Sequence, residues 1–166
     1  MTNKINILQT LEAEKDKLFQ YANYRLNNIK DVEDVLQNLY VKILTNKHIF
    51  TNISNLRAYF YRMVSNDCND ILRESIKMNT MSIDSLTNTD IESLQPENFD
   101  EEFIIINRLL NMLPIEQSET IRYRLHCDLA FQEIADIMEV PLSTAKARYR
   151  YGIEKIKTNL KKENLL

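Results

Sequence analysis

The chain of 166 residues has little of what turns and phosphate-binding loops require. It contains one glycine, three prolines and no tryptophan. Glycine and proline supply the backbone geometry of tight turns, so their scarcity disfavours a sheet-rich fold. Apolar residues recur with helical periodicity along most of the chain, which predicts an all-α fold. With one glycine, a glycine-rich phosphate-binding loop is excluded.

The sequence also lacks clusters that bind metals or form disulfides. Its only cysteines, Cys68 and Cys127, stand in helical patterns without a CxxC partner, which predicts two buried thiols. His126 lies beside Cys127 without metal-ligand spacing, and His48 supplies no ligand set. No nucleophile is spaced from a base as catalysis would require. We therefore expect no cofactor, no metal site and no enzymatic activity.

Long hydrophobic runs are absent as well. No apolar stretch approaches the roughly 20 residues that a membrane-spanning helix needs. Charged residues interrupt the N-terminal segment, where a signal peptide would have its apolar core. The sequence therefore predicts no membrane insertion and a cytoplasmic location.

The formal net charge is −3, but the charges are distributed unevenly along the chain. Residues 79–102 contain seven acidic residues and no lysine or arginine, whereas residues 141–166 contain seven basic residues and two acidic ones. The acidic stretch has no sustained hydrophobic period. It predicts a flexible acidic linker, residues 78–100, that joins two small helical domains, residues 1–77 and 101–166.

The most informative segment, residues 128–157, has the pattern of a helix-turn-helix. An apolar stripe at i, i+3, i+4 and i+7 predicts its first helix: Phe131, Ile134, Ala135 and Met138. Pro141 must end that helix, and Ser143 is the expected N-cap of the next one. The second helix has an inward stripe formed by Ala145, Tyr149, Gly152 and Ile156. Its basic outer side favours a DNA recognition helix, against the alternative of a helical hairpin with a solvated basic face.

The N-terminal domain is predicted to hold three helices, at residues 5–29, 31–46 and 54–77. Asp31 is the expected N-cap of the second helix, and residues 47–52 form a short loop. On the third helix the outer side carries cations, amides and an aromatic ring: Tyr59, Arg62, Asn66, Asn69 and Arg73. Such a face suits single-stranded nucleic acid, because rings stack on bases and cations neutralise phosphates. A solvated face is the alternative.

The C-terminal domain is predicted to hold four helices around one small core. Its first helix stops at Pro114, and its second spans residues 115–128 with Ile121 and Leu125 directed inward. The helix-turn-helix supplies the remaining two helices.

Three segments in this order resemble one known family. DVEDVLQNLYVKIL resembles the region-two helix that docks on polymerase in the extracytoplasmic-function (ECF) group of sigma-70 family sigma factors. NLRAYFYRMVSNDCNDILR resembles the next helix, which in that group helps to melt the −10 element. LPIEQSETIRYR and FQEIADIMEVPLSTAKARYRYGIEKI resemble region four, which reads the −35 element. The group keeps only regions two and four, and the resemblance covers nearly the whole chain.

The resemblance implies three sets of contacts at matching positions. The polymerase contacts are Asp34, Gln37 and Asn38, with Asn38 standing where the family often has Glu. The contacts with −10 DNA are Arg57, Tyr59, Arg62, Asn66 and Arg73. The contacts with −35 DNA are Ser143, Thr144, Lys146, Ala147, Arg148 and Arg150. Asp70 is expected to orient a neighbouring basic residue, because phosphate repels a carboxylate.

Two departures from the family pattern concern the helix-turn-helix. The family usually has glycine where Glu139 stands, so either Glu139 adopts the turn geometry or the turn differs. The chain's single glycine, Gly152, lies inside the predicted recognition helix at a cost of about 1 kcal/mol in helix propensity. Close packing against the helix that contains Phe131 is the expected reason.

The resemblance implies a sigma factor that directs core RNA polymerase to promoters and assists DNA melting. Its expected partners are core RNA polymerase, promoter DNA (duplex at −35 and single-stranded at −10) and, as is common in the family, an anti-sigma factor. The alternative is a stand-alone helix-turn-helix regulator. A regulator explains the C-terminal domain equally well but leaves the resemblance of residues 31–73 as coincidence.

Overall fold

The computed structural model describes residues 2–81 and 101–164, and every regular element in these ranges is a helix. The helices are α1 (Thr2–Leu26), α2 (Ile29–Thr45), α3 (Lys47–Phe50), α4 (Leu56–Met81), α5 (Glu101–Asn111), α6 (Ile115–Leu125), α7 (Phe131–Met138) and α8 (Leu142–Lys162). The prediction of an all-α fold is confirmed. The chain divides into two compact units between Glu97 and Asn98.

The predicted acidic linker falls mostly outside the described residues. Residues 78–81, its first part, continue α4 to Met81, four residues beyond the predicted end of that helix. Residues 82–100 are not among those described.

The N-terminal unit is a bundle in which α1, α2 and α4 pack on one another. The apolar stripe of α2 faces the core, because Val32, Leu36, Leu39 and Ile43 are all buried. On α4, the buried residues include Phe60, Val64 and Cys68, while Met63 and Ile71 are half-buried. Polar side chains also join the helices at their edges: the Arg25 guanidinium donates to Asn69 Oδ1 at 2.6 Å.

Asn28, not Asp31, caps α2. Asn28 has extended backbone dihedrals, and its side-chain oxygen accepts hydrogen bonds from the backbone N–H groups of Lys30 and Asp31. The prediction that Asp31 is the N-cap is therefore wrong. Asp31 lies in the first turn of α2, where its carboxylate interacts favourably with the partial positive charge of the helix N-terminus.

The segment predicted as a loop, residues 47–52, contains the single-turn helix α3. Asn46, which ends α2, also accepts the first hydrogen bond of this turn, from the backbone N–H of Ile49 at 3.0 Å. Phe50 is the buried residue of α3 and fixes the segment to the bundle.

The C-terminal unit consists of α5, α6, α7 and α8, as predicted. Leu110, Leu113 and Ile121 form a buried cluster against one side of α8. The prediction that Leu125 points inward is wrong, because its side chain is 57% exposed. Helix α6 ends at Leu125, three residues earlier than predicted, and the buried Cys127 and Leu129 that follow contribute to the core instead.

A buried arginine ties α5 to α6. Arg122 is 3% exposed, and its guanidinium donates to Glu119 at 3.0 Å, to Asn107 at 3.3 Å and to Asn111 at 2.8 Å. Glu119 is 5% exposed, so both members of this ion pair are desolvated. A buried charge of this kind requires its partners, because the loss of one leaves the other uncompensated.

Candidate polymerase and nucleic-acid interfaces

The turn between α7 and α8 has the geometry of a helix-turn-helix. Glu139 follows α7 with φ 54° and ψ 45°, in the left-handed region. This backbone lets the N–H of Val140 donate to the Ala135 carbonyl at 3.0 Å, which closes the end of α7. Glu139 therefore adopts the turn geometry for which the family usually employs glycine.

Pro141, not Ser143, precedes the first turn of α8. The Pro141 carbonyl accepts hydrogen bonds from the N–H groups of Thr144 and Ala145 at 3.0 and 3.2 Å, so α8 begins at Leu142. Proline suits a position before a helix because its φ is fixed and it has no N–H to satisfy. The prediction that Ser143 is the N-cap is wrong, since Ser143 lies inside the helix with an exposed side chain.

The inner side of α8 is the predicted one. Ala145 and Gly152 are buried, and Tyr149 packs its ring against Phe131 of α7 in a T-shaped pair with centroids 5.4 Å apart. The reason predicted for Gly152 is wrong in one respect. A Cβ at Gly152 would lie 2.6 Å from Ile121 Cδ1, so the close neighbour is α6 rather than α7.

Of the six residues predicted to meet −35 DNA, four lie on the outer side of α8, and Lys146 and Arg148 flank its buried stripe. Ser143, Lys146 and Arg150 are exposed, and the other three are half-buried: Thr144, Ala147 and Arg148. The Arg150 guanidinium lies 5.1 Å from the ring centroid of the exposed Tyr151, beside this surface. The structure thus presents a basic helix face of the kind that enters a major groove.

Arg124 is a cation in contact with the start of the helix-turn-helix that the sequence did not reveal. Its guanidinium lies 5.0 Å from the ring centroid of Phe131 and donates to the Leu129 carbonyl at 3.1 Å. The contact places positive charge beside the first residue of α7. Arg124 belongs to α6, and no spacing rule in the sequence connects it with the helix-turn-helix.

The outer side of α4 carries four of the five residues predicted to contact −10 DNA. Asn66 and Arg73 are exposed, while Tyr59 and Arg62 are half-buried. Arg73 Nη1 lies 3.5 Å from Asp70 Oδ1, and both side chains are largely exposed, so this pair is weak. The expected role of Asp70, to orient a neighbouring basic residue, stays a prediction.

Arg57 is set apart from these four. It lies five residues before Arg62, about 140° around an ideal helix. Its Nε is 3.0 Å from Glu14 Oε1 of α1, and its side chain is 27% exposed. The Tyr61 hydroxyl donates to the other oxygen of Glu14 at 2.9 Å. The Arg57 side chain is therefore held by an ion pair between α1 and α4. The contact of Arg57 with DNA stays a prediction.

The exposed side of α2 carries all three predicted polymerase contacts: Asp34, Gln37 and Asn38. Val41 and Leu44 are also exposed there, at 57% and 58%. Helical spacing places Val41 four residues after Gln37 and Leu44 seven residues after it, on the same side of α2. A mixed polar and apolar helix face results, which is typical of surfaces that bind another protein.

The two parts of the chain match two family models. Residues 10–75 match the model described as Sigma-70 region 2, and residues 109–158 match the one described as Sigma-70, region 4. The chain belongs to the sigma-70 family. The matched residues include α2 and most of α4 in the first model, and α7, the turn and most of α8 in the second.

Relatives of this sigma factor have the same extent. RNA polymerase sigma factor SigV of Bacillus subtilis (strain 168) is 24% identical over 165 residues, covering 99% of this chain and 96% of SigV. ECF RNA polymerase sigma factor SigW of the same organism is 22% identical over 162 residues, covering 91% and 87%. The chain is accordingly an ECF-type RNA polymerase sigma factor, whose partners are core RNA polymerase and promoter DNA. The stand-alone regulator is not favoured, because region 2 accounts for the N-terminal half.

Two solved structures share its fold. The sigma factor RpoE, in complex with the anti-sigma factor NepR from Bartonella quintana, aligns with a TM-score of 0.70 and 21% identity over 95% of this chain and 96% of RpoE. CnrH, in complex with the cytosolic domain of CnrY, aligns with a TM-score of 0.68 and 16% identity over 97% and 98% of the two chains.

Within residues 2–81 and 101–164, three further features bear on function. No group of three or more His, Cys, Asp or Glu side chains in these ranges is arranged to hold a metal ion. Cys68 and Cys127 are both buried thiols, as predicted. Among the helices of the same ranges, none is long and apolar enough to cross a bilayer.

Proposed function

We propose that this sigma factor divides promoter recognition between three helices. Helix α2 docks on core polymerase through Asp34, Gln37 and Asn38, and α4 holds unpaired −10 DNA through its outer side. Helix α8 inserts its basic side into the −35 major groove. The observation that carries the proposal is the outer side of α4, which bears Tyr59, Arg62, Asn66 and Arg73. These side chains lie away from the buried residues of the same helix, among them Phe60, Val64 and Cys68.

The chemistry of the α4 surface suits a single strand. The Tyr59 ring supplies a flat apolar surface for stacking, and the guanidinium groups of Arg62 and Arg73 supply charge for phosphates. Asn66 adds an amide that donates and accepts hydrogen bonds. A duplex hides its base faces, so a stacking surface is useful only once the strands have separated.

Binding of the free chain to promoter DNA is expected to be weak. Each unit offers few phosphate contacts, and two weak contacts reinforce each other only when their spacing is fixed. Core polymerase supplies that spacing, because it holds both units of the bound sigma factor. Residues 82–100, the greater part of the predicted acidic linker, span the distance between them. The function requires no chemistry from the sigma factor itself, and the proposed location is the cytoplasm.

In vitro transcription with core polymerase on genomic fragments tests the proposal and supplies the promoters. We expect specific transcripts that depend on the sigma factor. Arg62→Ala and Arg73→Ala should impair promoter opening, measured by permanganate reactivity of unpaired thymines, and leave affinity for core polymerase unchanged. Lys17→Ala, on α1, is the control, because it also removes one positive charge. An Arg62→Ala variant that lost core polymerase and opened promoters normally would show that the surfaces are wrongly assigned.

Gln37→Ala should have the opposite effect. It is expected to weaken binding to core polymerase in a pull-down titration, while the polymerase that is bound opens promoters normally. Gln20→Ala, an exposed glutamine on α1, is the matched control. Unchanged affinity of Gln37→Ala for core polymerase would remove Gln37 from the interface.

On the −35 side, Lys146→Ala and Arg150→Ala should lower transcription from promoters that depend on the −35 element. Lys162→Ala, at the far end of α8, is the control for loss of charge. Equal effects of all three substitutions would indicate a general electrostatic contribution rather than contacts in the groove.

We also propose that an anti-sigma factor holds the free protein. Support comes from the two structural neighbours, one of which is a complex with an anti-sigma factor and the other a complex with a cytosolic domain. Tagged protein purified from cells should carry a second polypeptide that core polymerase displaces. Recovery of the protein with core polymerase alone would contradict this.

A further inference from the structure

Helix α3 is attached to the bundle through one aromatic side chain. Phe50 is 3% exposed, whereas Lys47, His48 and Ile49 in the same turn are exposed. The Phe50 ring packs against Tyr59 in a T-shaped pair, with centroids 5.7 Å apart and planes at 83°. It also contacts the core residue Phe60, with centroids 6.2 Å apart and planes at 51°.

The first of these contacts reaches the proposed −10 surface. Tyr59 is half-buried in the first turn of α4, where its N–H donates to the Asn55 carbonyl at 3.1 Å. Its backbone is therefore fixed by the helix, and the orientation of its ring depends on neighbouring side chains. A T-shaped partner favours one orientation, because the positive edge of one ring attracts the negative face of the other.

A stacking residue gains from being held in its bound orientation. A ring that turns freely loses that freedom when a base stacks on it, and the loss reduces the free energy of binding. A ring already held in place avoids most of this cost. The contact with Phe50 thus bears on how well Tyr59 binds an unpaired base.

We infer that Phe50 is a positioning residue for the −10 surface, which acts through the Tyr59 ring and contacts no DNA itself. The inference rests on the proposed function, in which Tyr59 stacks on an unpaired base. It deepens that function by connecting α3 with α4. Phe50 is missing from every set of contacts that the sequence implied, because its role arises from packing rather than exposure.

A purely structural role through Phe60 predicts different behaviour. Phe60 is fully buried and belongs to the bundle core, so losing its contact with Phe50 lowers stability whatever residue stands at position 59. Losing the contact between Phe50 and Tyr59, by contrast, slows promoter opening only if position 59 carries an aromatic ring for Phe50 to orient. The two roles can therefore be separated by a double-mutant cycle.

The experiment uses the full chain assembled with core polymerase on a promoter fragment recovered from the genomic transcription assay. The fragment carries 2-aminopurine in its −10 region, and the rate of fluorescence increase reports opening. The variants are Phe50→Leu, Tyr59→Leu and the pair combined, with Phe60→Leu as the matched core control. Phe50→Met replaces Phe50→Leu if the latter loses helical circular dichroism, since methionine adapts to irregular core gaps.

We expect Phe50→Leu to slow opening by roughly two- to tenfold, the range that one well-oriented aromatic pair covers. In the Tyr59→Leu background the same change should have no further effect on opening. In the Phe60→Leu background it should keep its full effect. Tyr59→Phe, which retains the ring, should leave the response to Phe50→Leu unchanged.

Two results would contradict this inference and leave the proposed function intact. One is an effect of Phe50→Leu that persists undiminished in the Tyr59→Leu background, since Phe50 would then act through the core. The other is normal opening by Phe50→Leu when Tyr59→Leu is impaired. Normal opening by Tyr59→Leu itself would instead contradict the proposed role of Tyr59, and with it the premise.

Discussion

At the scale of single residues, the left-handed backbone positions carry no glycine. Among the described residues, Asn27, Asp128, Glu139 and Asn164 have φ of 54–55°. Asparagine and aspartate tolerate this region because their short side chains form local hydrogen bonds, whereas glutamate has no such advantage. Glu139 therefore holds the turn of the helix-turn-helix at a cost in stability.

We predict that Glu139→Gly stabilises the C-terminal unit by about 1 kcal/mol, because glycine adopts the left-handed region without a Cβ clash. Urea unfolding of the full chain, followed by circular dichroism, measures the change. Glu139→Ala is the control, since it removes the carboxylate and keeps Cβ. Equal stabilisation by alanine would assign the effect to charge.

Gly152 is the opposite case, a glycine that helix propensity disfavours. Alanine at this position would gain about 1 kcal/mol in propensity. Its Cβ would lie 2.6 Å from Ile121 Cδ1, and Ile121 is 2% exposed, so the neighbour has little room to move. Overpacking of a core costs about 1–3 kcal/mol, which outweighs the gain.

Gly152→Ala is therefore expected to destabilise the protein by roughly 1 kcal/mol in urea unfolding. Ile121→Val removes the clashing Cδ1 atom, so Gly152→Ala should be neutral or stabilising in that background. A loss of the same size in both backgrounds would mean that Ile121 is not the obstacle.

At the scale of elements, the Arg122 network joins α5 to α6 through buried charge. Arg122→Met leaves Glu119 desolvated without its cation, and we expect a loss of about 3–5 kcal/mol. The double variant Arg122→Met with Glu119→Leu should recover most of that loss, because an apolar pair needs no compensation. Urea unfolding of both variants measures the difference.

Arg108→Met provides the comparison for this prediction. Arg108 of α5 also pairs with Glu163, the residue that follows α8, with Nη2 and Oε2 2.6 Å apart, but the arginine side chain is 55% exposed. An exposed pair contributes under about 1 kcal/mol. If Arg108→Met cost as much as Arg122→Met, burial would not explain the effect.

Most elements were predictable because their signals are local. The stripes of α2 and α8 follow from spacing alone, and Pro141 fixes the turn by its own covalent geometry. The N-cap residues were harder to predict, because several polar residues near each helix start can act as the cap. At the start of α2, Asn28 is the cap because its backbone is extended, whereas Asp31 already lies inside the helix. No sequence pattern predicts this difference in backbone dihedrals.

The candidate sites were predictable where exposure follows helical period. Arg62, Asn66 and Arg73 lie where spacing places them, whereas Arg57 is drawn to Glu14, 43 residues away in the sequence. Leu125 is exposed although its spacing from Ile121 is helical, because α6 ends there. The position of Arg57 thus arises from a tertiary contact, and that of Leu125 from the end of a helix. Local periodicity is insensitive to both.

At the scale of the whole molecule, the division of the chain into two units means that unfolding need not be a single transition.

One titratable group affects the stability of the C-terminal unit alone. Burial, with a smaller contribution from the Arg122 charge, lowers the pKa of His126 below its ordinary value of 6.5. The folded C-terminal unit thus favours neutral His126, and the unfolded chain binds its proton at higher pH. This contribution to stability is present above pH 6.5 and is lost as the pH falls towards the lowered pKa.

Acidification below about pH 6.5 is therefore expected to weaken the C-terminal unit. Hydrogen exchange of peptides from residues 101–164, measured between pH 7 and pH 5 and corrected for intrinsic rates, resolves that unit separately. His126→Asn should flatten the pH dependence, and the exposed His48→Asn serves as the control. A slope that survives in His126→Asn would have to come from another group.

One contact gives the N-terminal unit a mechanical property. The Lys42 ammonium lies 3.1 and 3.2 Å from the two oxygens of Asp67, so it bridges the last turn of α2 and the middle of α4. With the shared apolar core, this bridge resists sliding of one helix along the other. In the proposed function α4 holds −10 DNA and α2 holds polymerase. A displacement of α4 by the DNA would then move α2 with it, and the proposal implies that strain in the promoter is transmitted to polymerase.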